Sequence, residues 1–227
     1  MQDGSGGEPA FGAGTHAPDK FGRRSQHGGP NQFSRKLEAW FLEEPLFDAA
    51  TVLGPACPVP RRPGVYAWFF RRLPPGVPAT DVATRNGMTL LYVGIAPRAP
   101  PANGKPPSRQ SVWSRVRYHY RGNAEGSTLR LTLGCLLAET LGIELRRVGS
   151  GNRLTFGPGE VILSAWMAEN ALVCWQEDPR PWEAEDALIR SVSLPLNLQG
   201  NQGHTLHGTL SRIRAVAKER ARSLPIL

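Results

Sequence analysis

The chain has 227 residues, 40% of them hydrophobic and 20% charged, with 25 Gly, 21 Pro and a formal net charge of +8 at pH 7. That length suits one domain with tails, the Gly and Pro content implies sizeable loops, and the positive balance makes a polyanionic partner reasonable without proving one. The three cysteines (Cys57, Cys135, Cys174) are far apart and form no CxxC pair, which argues against a disulfide framework and a zinc site; no apolar run approaches the ~20 residues that span a bilayer. The Arg23-Arg24 pair is followed by no apolar stretch, so no export signal is expected and a cytoplasmic location is.

In chain order, residues 1–34 are rich in Gly, Ser, Pro, Gln and Asn. They hold too few apolar side chains to offset ordering entropy and read as a disordered tail. Residues 35–62 read as a short helix and a linker, with Leu37, Trp40, Phe41 and Leu42 before Pro45. The β-branched and aromatic run GVYAWFF (64–70) predicts a strand, and MTLLYVGIA (88–96), between Asn86-Gly87 and Pro97, predicts a second. A Pro-rich loop over 97–109 leads into a helix, SVWSRVRYHY. Further helices fit 131–142 and 159–170, a third strand fits ALVCW (171–175), and WEAEDALIRSVS (182–193) is a helix with Pro181 suited to its start. Residues 204–227 close the chain with a basic helix. The expected fold class is α/β in the α+β sense, a small sheet covered by helices with long loop insertions.

Three segments carry chemistry. GVY and YVG hold two of the chain's four tyrosines on consecutive strands; alone, each tripeptide reads equally as a strand with a glycine at its end. In SVWSRVRYHY, Val112, Val116 and Tyr120 should face the core, with Arg115 and His119 four apart on a ridge beside them. A guanidinium offers a bidentate fork to phosphate, and an imidazole moves a proton; the alternative is a solvated basic face, which suits Arg117 and Arg121 better. In the helix from Trp182, the residues Trp182, Leu188, Ile189 and Val192 define an expected buried stripe. Glu185 falls on it, with Glu183 and Asp186 on the flanks. A carboxylate there is costly unless a cation compensates, although acids in a first helical turn also suit the macrodipole.

Taken in order, GVY (64–66), YVG (92–94), R-x-x-x-H (Arg115, His119) and EDALIRSVSLPLN (Glu185 to Asn197) resemble the motifs of the GIY-YIG nuclease family, over roughly residues 63–198. The resemblance implies a small mixed three-stranded sheet flanked by helices and a nuclease domain over 63–203. It also implies roles. Glu185 holds one Mg²⁺ (or Mn²⁺) with water in most other positions, and Arg115 stabilises the scissile phosphate. Tyr66 acts as general base toward the attacking water, Tyr92 orients that water and the phosphate, His119 assists proton transfer, and Asn197 braces the site. A phenol with a free pKa near 10 needs the neighbouring cations to lower it.

The basic residues extend this reading. Lys105, Arg109, Arg117 and Arg121 follow the second strand, and Arg212 and Arg214 lie on the last helix; all are expected to contact phosphates without reading sequence. His204 and His207 read as caps of that helix more readily than as ligands. The expected function is a metal-dependent endonuclease with one active site, hydrolysing phosphodiester bonds in DNA, with RNA as the chemical alternative and no membrane partner. The alternatives are a non-catalytic nucleic-acid-binding module of the same fold and a partner-binding α/β domain.

Overall fold

Alternation within one strand sets the architecture. In the computed structural model, which describes residues 40–227, strand β1 (Gly64–Phe70) is buried along its whole length. The expected tail over 1–34 and the start of the helix predicted after it lie outside the described residues. Tyr66, Trp68 and Phe70 enter one core cluster, while Val65, Ala67 and Phe69 enter a second, as the period of two along a strand requires. A strand apolar on both faces belongs in the middle of a sheet covered on both sides. β1 accordingly pairs with β3 (Met88–Ala96) on one edge and β6 (Ala171–Glu177) on the other. A two-residue strand, β2 (Thr84–Arg85), turns into β3 through Asn86-Gly87, both at positive φ. The sheet order is β2-β3-β1-β6.

The three long strands are those predicted. The mixed sheet is corrected, since every pairing is antiparallel. The long excursion after β3 carries the chain back along the sheet to the end of β1, so β6 runs parallel to β3 with β1 between them, and no parallel pair is adjacent.

Opposite Trp68 and Phe69 the β1–β3 register slips: Phe69 faces Leu90, but Trp68 faces Tyr92, which leaves Leu91 as an extra residue. A one-residue bulge turns the rest of a strand over. Without it Tyr92 would oppose Ala67; with it, Tyr92 shares the face of Trp68 and Tyr66.

That face is covered by α1 (Ala49–Leu53), α2 (Val112–Arg121), α3 (Thr128–Leu136), α5 (Gly159–Asn170) and α7 (His207–Ser223), and the opposite face by α6 (Pro181–Ser191) with Trp40 and Phe41. α2 starts at a capping box between Ser111 and Ser114, and Pro181 opens α6. The single helix expected over 131–142 is two, α3 and the four-residue α4 (Ala138–Leu141); Ser127 caps α3 earlier than predicted, and nothing in the sequence marks the break at Leu137. A hairpin of β4 (Arg146–Val148) and β5 (Arg153–Thr155) was not anticipated, because three-residue strands rich in Arg carry no apolar alternation. α7 buries Leu210 and Ala221, and the chain end is tied to β4 by Leu227 N–H donating to the Arg147 carbonyl (2.9 Å). Among the described residues no helix is long and apolar enough to cross a membrane.

Candidate active site

The two glycines of GVY and YVG are there because other atoms occupy the place of a side chain. A Cβ on Gly64 would lie 2.2 Å from the Gln176 carbonyl oxygen of β6. One on Gly94, directly opposite Tyr66, would lie 2.6 Å from the Tyr66 hydroxyl. The phenol of Tyr66 therefore lies across the bare backbone of β3 with its hydroxyl over Gly94.

That hydroxyl is bonded to His119 Nε2 at 2.8 Å, and His119 Nδ1 to Ser127 Oγ at 2.7 Å. Ser127 is also the cap of α3, accepting from the Arg130 N–H. His119 is fully buried, a correction to its expected place at the margin of the core. It lies three residues after Val116 and seven after Val112, inside the same helical stripe. Burial, with Arg115 and Arg130 nearby, holds its pKa well below the ordinary value, so the ring is neutral. The Tyr66 pKa is raised, by burial first and then by Tyr92, against the pull of Arg115. The lowering expected from neighbouring cations is therefore outweighed, because the phenol is almost wholly out of water.

Arg130, also fully buried, fixes the end of α2. Its guanidinium donates to the His119 and Tyr120 carbonyls, to Ser164 and to Glu160, which in turn accepts from the Ala124 and Phe156 N–H groups. Every polar atom of this ion pair finds a partner, the condition on which a buried charge pair is tolerated. Sequence reading did not single out Ser127, Arg130 or Glu160; their signal is geometric, not compositional.

On the open edge of β3, beyond the two residues of β2, the Asn197 side chain acts as a strand. Its amide accepts from the Val93 N–H and donates to the Val93 carbonyl, both at 2.9 Å. Asn201 in turn holds the loop, donating to the Leu194 and Asn197 carbonyls.

α6 presents Glu185 beside this edge. The helix buries Pro181, Ala184, Ala187 and Leu188, so the expected stripe of Trp182, Leu188, Ile189 and Val192 is corrected by a rotation. Trp182, Glu185 and Ile189 are half-buried, on the flank that lines a cleft. The cleft has a volume of about 730 Å³, and Tyr66, Tyr92, Arg115, Glu185 and Asn197 all border it, with Arg98, Thr128 and Arg214. Tyr92 reaches Thr128 Oγ1 at 3.4 Å. Arg115 spends one N–H on the Gly126 carbonyl (3.0 Å), which leaves the rest of its fork for a ligand. Burial pushes the Glu185 pKa up to about 7, with Asp186 adding to the rise and Arg98 opposing it. At neutral pH this carboxylate is poised between its acid and its anion, and a cation beside it would favour the anion. Among the described residues no group of three or more His, Cys, Asp or Glu could cage a metal. One carboxylate in an open cleft fits a hydrated hard cation, which keeps most of its waters.

The remaining predicted contacts scatter. Lys105, Arg109, Arg121 and Arg212 are exposed. Arg117 points away from the cleft, donating to the Val52 carbonyl (2.7 Å) and lying over Trp113. Arg214 lines the cleft itself. His204 caps the approach to α7, with Nδ1 accepting from the Leu206 N–H and Nε2 against Ser193 Oγ. Arg98, Thr128 and Trp182 are lining residues that the sequence motifs did not mark.

In comparisons with known proteins, the sequence model of the GIY-YIG catalytic domain matches residues 64–219. No curated protein and no solved structure matches significantly.

Proposed function

The chain belongs to the GIY-YIG catalytic-domain family, and from that premise we propose that it is a divalent-metal-dependent endonuclease that hydrolyses phosphodiester bonds in DNA at one active site. The observation that carries this reading is the convergence of Tyr66, Tyr92, Arg115, Glu185 and Asn197, from separate elements, on one cleft. Glu185 would hold the metal ion, Mg²⁺ or Mn²⁺, which would supply charge neutralisation at the phosphate. Arg115 places its free N–H groups on the non-bridging oxygens, where charge grows in the transition state.

Tyr66 and His119 act together as the base. Neither ionises readily on its own, since burial disfavours both phenolate and imidazolium. The attacking water gives a proton to the Tyr66 oxygen while the Tyr66 hydroxyl gives its own to His119 Nε2, so the phenol never carries a full charge. His119 then bears the proton, with Nδ1–H donating to Ser127 Oγ. Tyr92 orients water and phosphate from the same face, and Asn197 keeps the β3 edge from opening. The exposed cations Lys105, Arg109, Arg121 and Arg212 add salt-dependent affinity for the DNA backbone.

The deciding experiment is incubation of the protein with supercoiled plasmid in Mg²⁺, with EDTA and Glu185→Gln as controls. Nicked or linear product only in the presence of metal and Glu185 is the expected result. Absence of cleavage on every DNA and RNA offered, with DNA binding retained, would replace the enzyme by a binding module.

A further inference from the structure

α7 packs through Leu210, Ile213, Arg214, Ala217, Lys218 and Ala221, which are buried or half-buried along one stripe. A helix that packs through such a stripe calls for apolar residues there. Arg214 and Lys218 both break the rule, but of the two only Arg214, one turn beyond fully buried Leu210, lines the cleft. Sites where a sequence breaks a local rule at a cost are where function is expected.

The cost is visible by comparison within the molecule. Arg130, buried completely, is paired with Glu160 and donates to three backbone carbonyls. Arg220, on the same helix as Arg214, bonds Glu144. Arg214 has neither an ion pair nor a side-chain hydrogen bond among the described residues, and burial depresses its pKa, while its titratable neighbours Cys135 and Tyr92 are held neutral by their own burial. A half-buried guanidinium without an anion is unfavourable unless one is delivered. Arg214 borders the cleft that holds Tyr66, Tyr92, Arg115 and Glu185.

We infer that Arg214 is a second phosphate-binding arginine of the catalytic cleft, gripping a backbone phosphate of the strand beside the one Arg115 contacts. The C-terminal helix is then a wall of the active site, not a separate basic arm. This deepens the nuclease reading, and only the cleavage measurement below depends on that reading.

The test compares Arg214→Gln with Arg222→Gln, which removes the same charge from the exposed end of the helix. Affinity for a fluorescent 24-base-pair DNA duplex is measured in Ca²⁺ across a range of salt. Arg214→Gln is expected to bind about tenfold more weakly, with a salt slope smaller by about one, as for loss of one phosphate contact, and more weakly than Arg222→Gln. Its melting temperature should be unchanged or higher, because an unpaired buried charge has gone. If the Gln variant does not fold, Arg214→Lys, which keeps the charge and loses the fork, should keep the slope and lose affinity. Affinity and slope equal to those of Arg222→Gln, or to wild type for the Lys variant, would overturn the inference. Single-turnover plasmid cleavage at saturating protein then locates the phosphate: a rate at least about tenfold lower for Arg214→Gln puts it in the cleft, and a wild-type rate overturns that placement. A wild type that binds the duplex and cuts nothing removes the nuclease reading, while the binding comparison still decides Arg214.

Discussion

Glu185 and Glu183 sit two residues apart on α6 and have different surroundings. Glu185 lines the cleft, while Glu183 is exposed and paired with Arg180 at 2.9 Å. Glu185→Gln should abolish cleavage and leave duplex binding intact, whereas Glu183→Gln should cost less than threefold; plasmid assays on the two variants decide, and the reverse order would reassign the metal ligand. His119 carries a pH signature. Its folded pKa lies well below the ordinary 6.5, so the unfolded chain takes up a proton that the folded one refuses. Its contribution to stability is complete above pH 6.5 and is lost as pH falls toward the folded value. His119→Gln should flatten that part of the melting-temperature profile, and an unchanged acid limb would mean the ring protonates in the fold. The six proposed site residues were readable at this scale because each is a chemically distinctive side chain in an ordered motif. Ser127 and Arg130 were not, since serine and arginine are common and only the fold brings them to His119. Ser127→Ala should slow cleavage about 10–100-fold, at or just below the lower end of the roughly 10²–10⁴-fold range for lost acid–base assistance, because it removes the partner of His119 and not the base itself.

At the scale of elements, the long strands and the helices with clear apolar periodicity were legible. Seven buried residues in β1 leave no other place for it than the sheet centre. The bulge at Leu91 was not legible, because MTLLYVGIA is almost wholly apolar after Thr89 and alternation cannot show a slip in a strand buried on both faces. Yet the bulge brings Tyr92 to the face of Tyr66. The two motif glycines separate structure from site. Gly64→Ala drives a Cβ into the backbone of β6, which cannot yield, and should cost about 1–3 kcal/mol or more in chemical denaturation, the range for overpacking. Gly94→Ala meets a side chain instead, the Tyr66 phenol. It should displace the hydroxyl from His119 and reduce cleavage more than stability; equal damage to both would mean that Tyr66 has no room to shift.

For the whole molecule, the basic composition marked the C-terminal helix only as a segment expected to contact phosphates, and the packing makes it part of the domain's core. α7 lies against α3, Leu210 belongs to the same core cluster as Tyr66 and Tyr92, and the chain end is tied to β4. The family match also runs into this helix, to residue 219. Charge counting could not reveal this, since a net charge reports on partners and not on fold. Deleting residues 205–227 would strip a fully buried leucine from the core. Truncating such a side chain alone costs roughly 2–5 kcal/mol, and each kcal/mol lowers the melting temperature of a domain this size by about 2–4 °C. The deletion should therefore lower the melting temperature by roughly 5 °C or more and remove cleavage together with DNA affinity, as read by thermal denaturation and plasmid assay on the same preparation. A truncated chain that melts like the full one would make α7 an appendage. Nothing would then hold Arg214 at the cleft, and the phosphate clamp assigned to it would have no support.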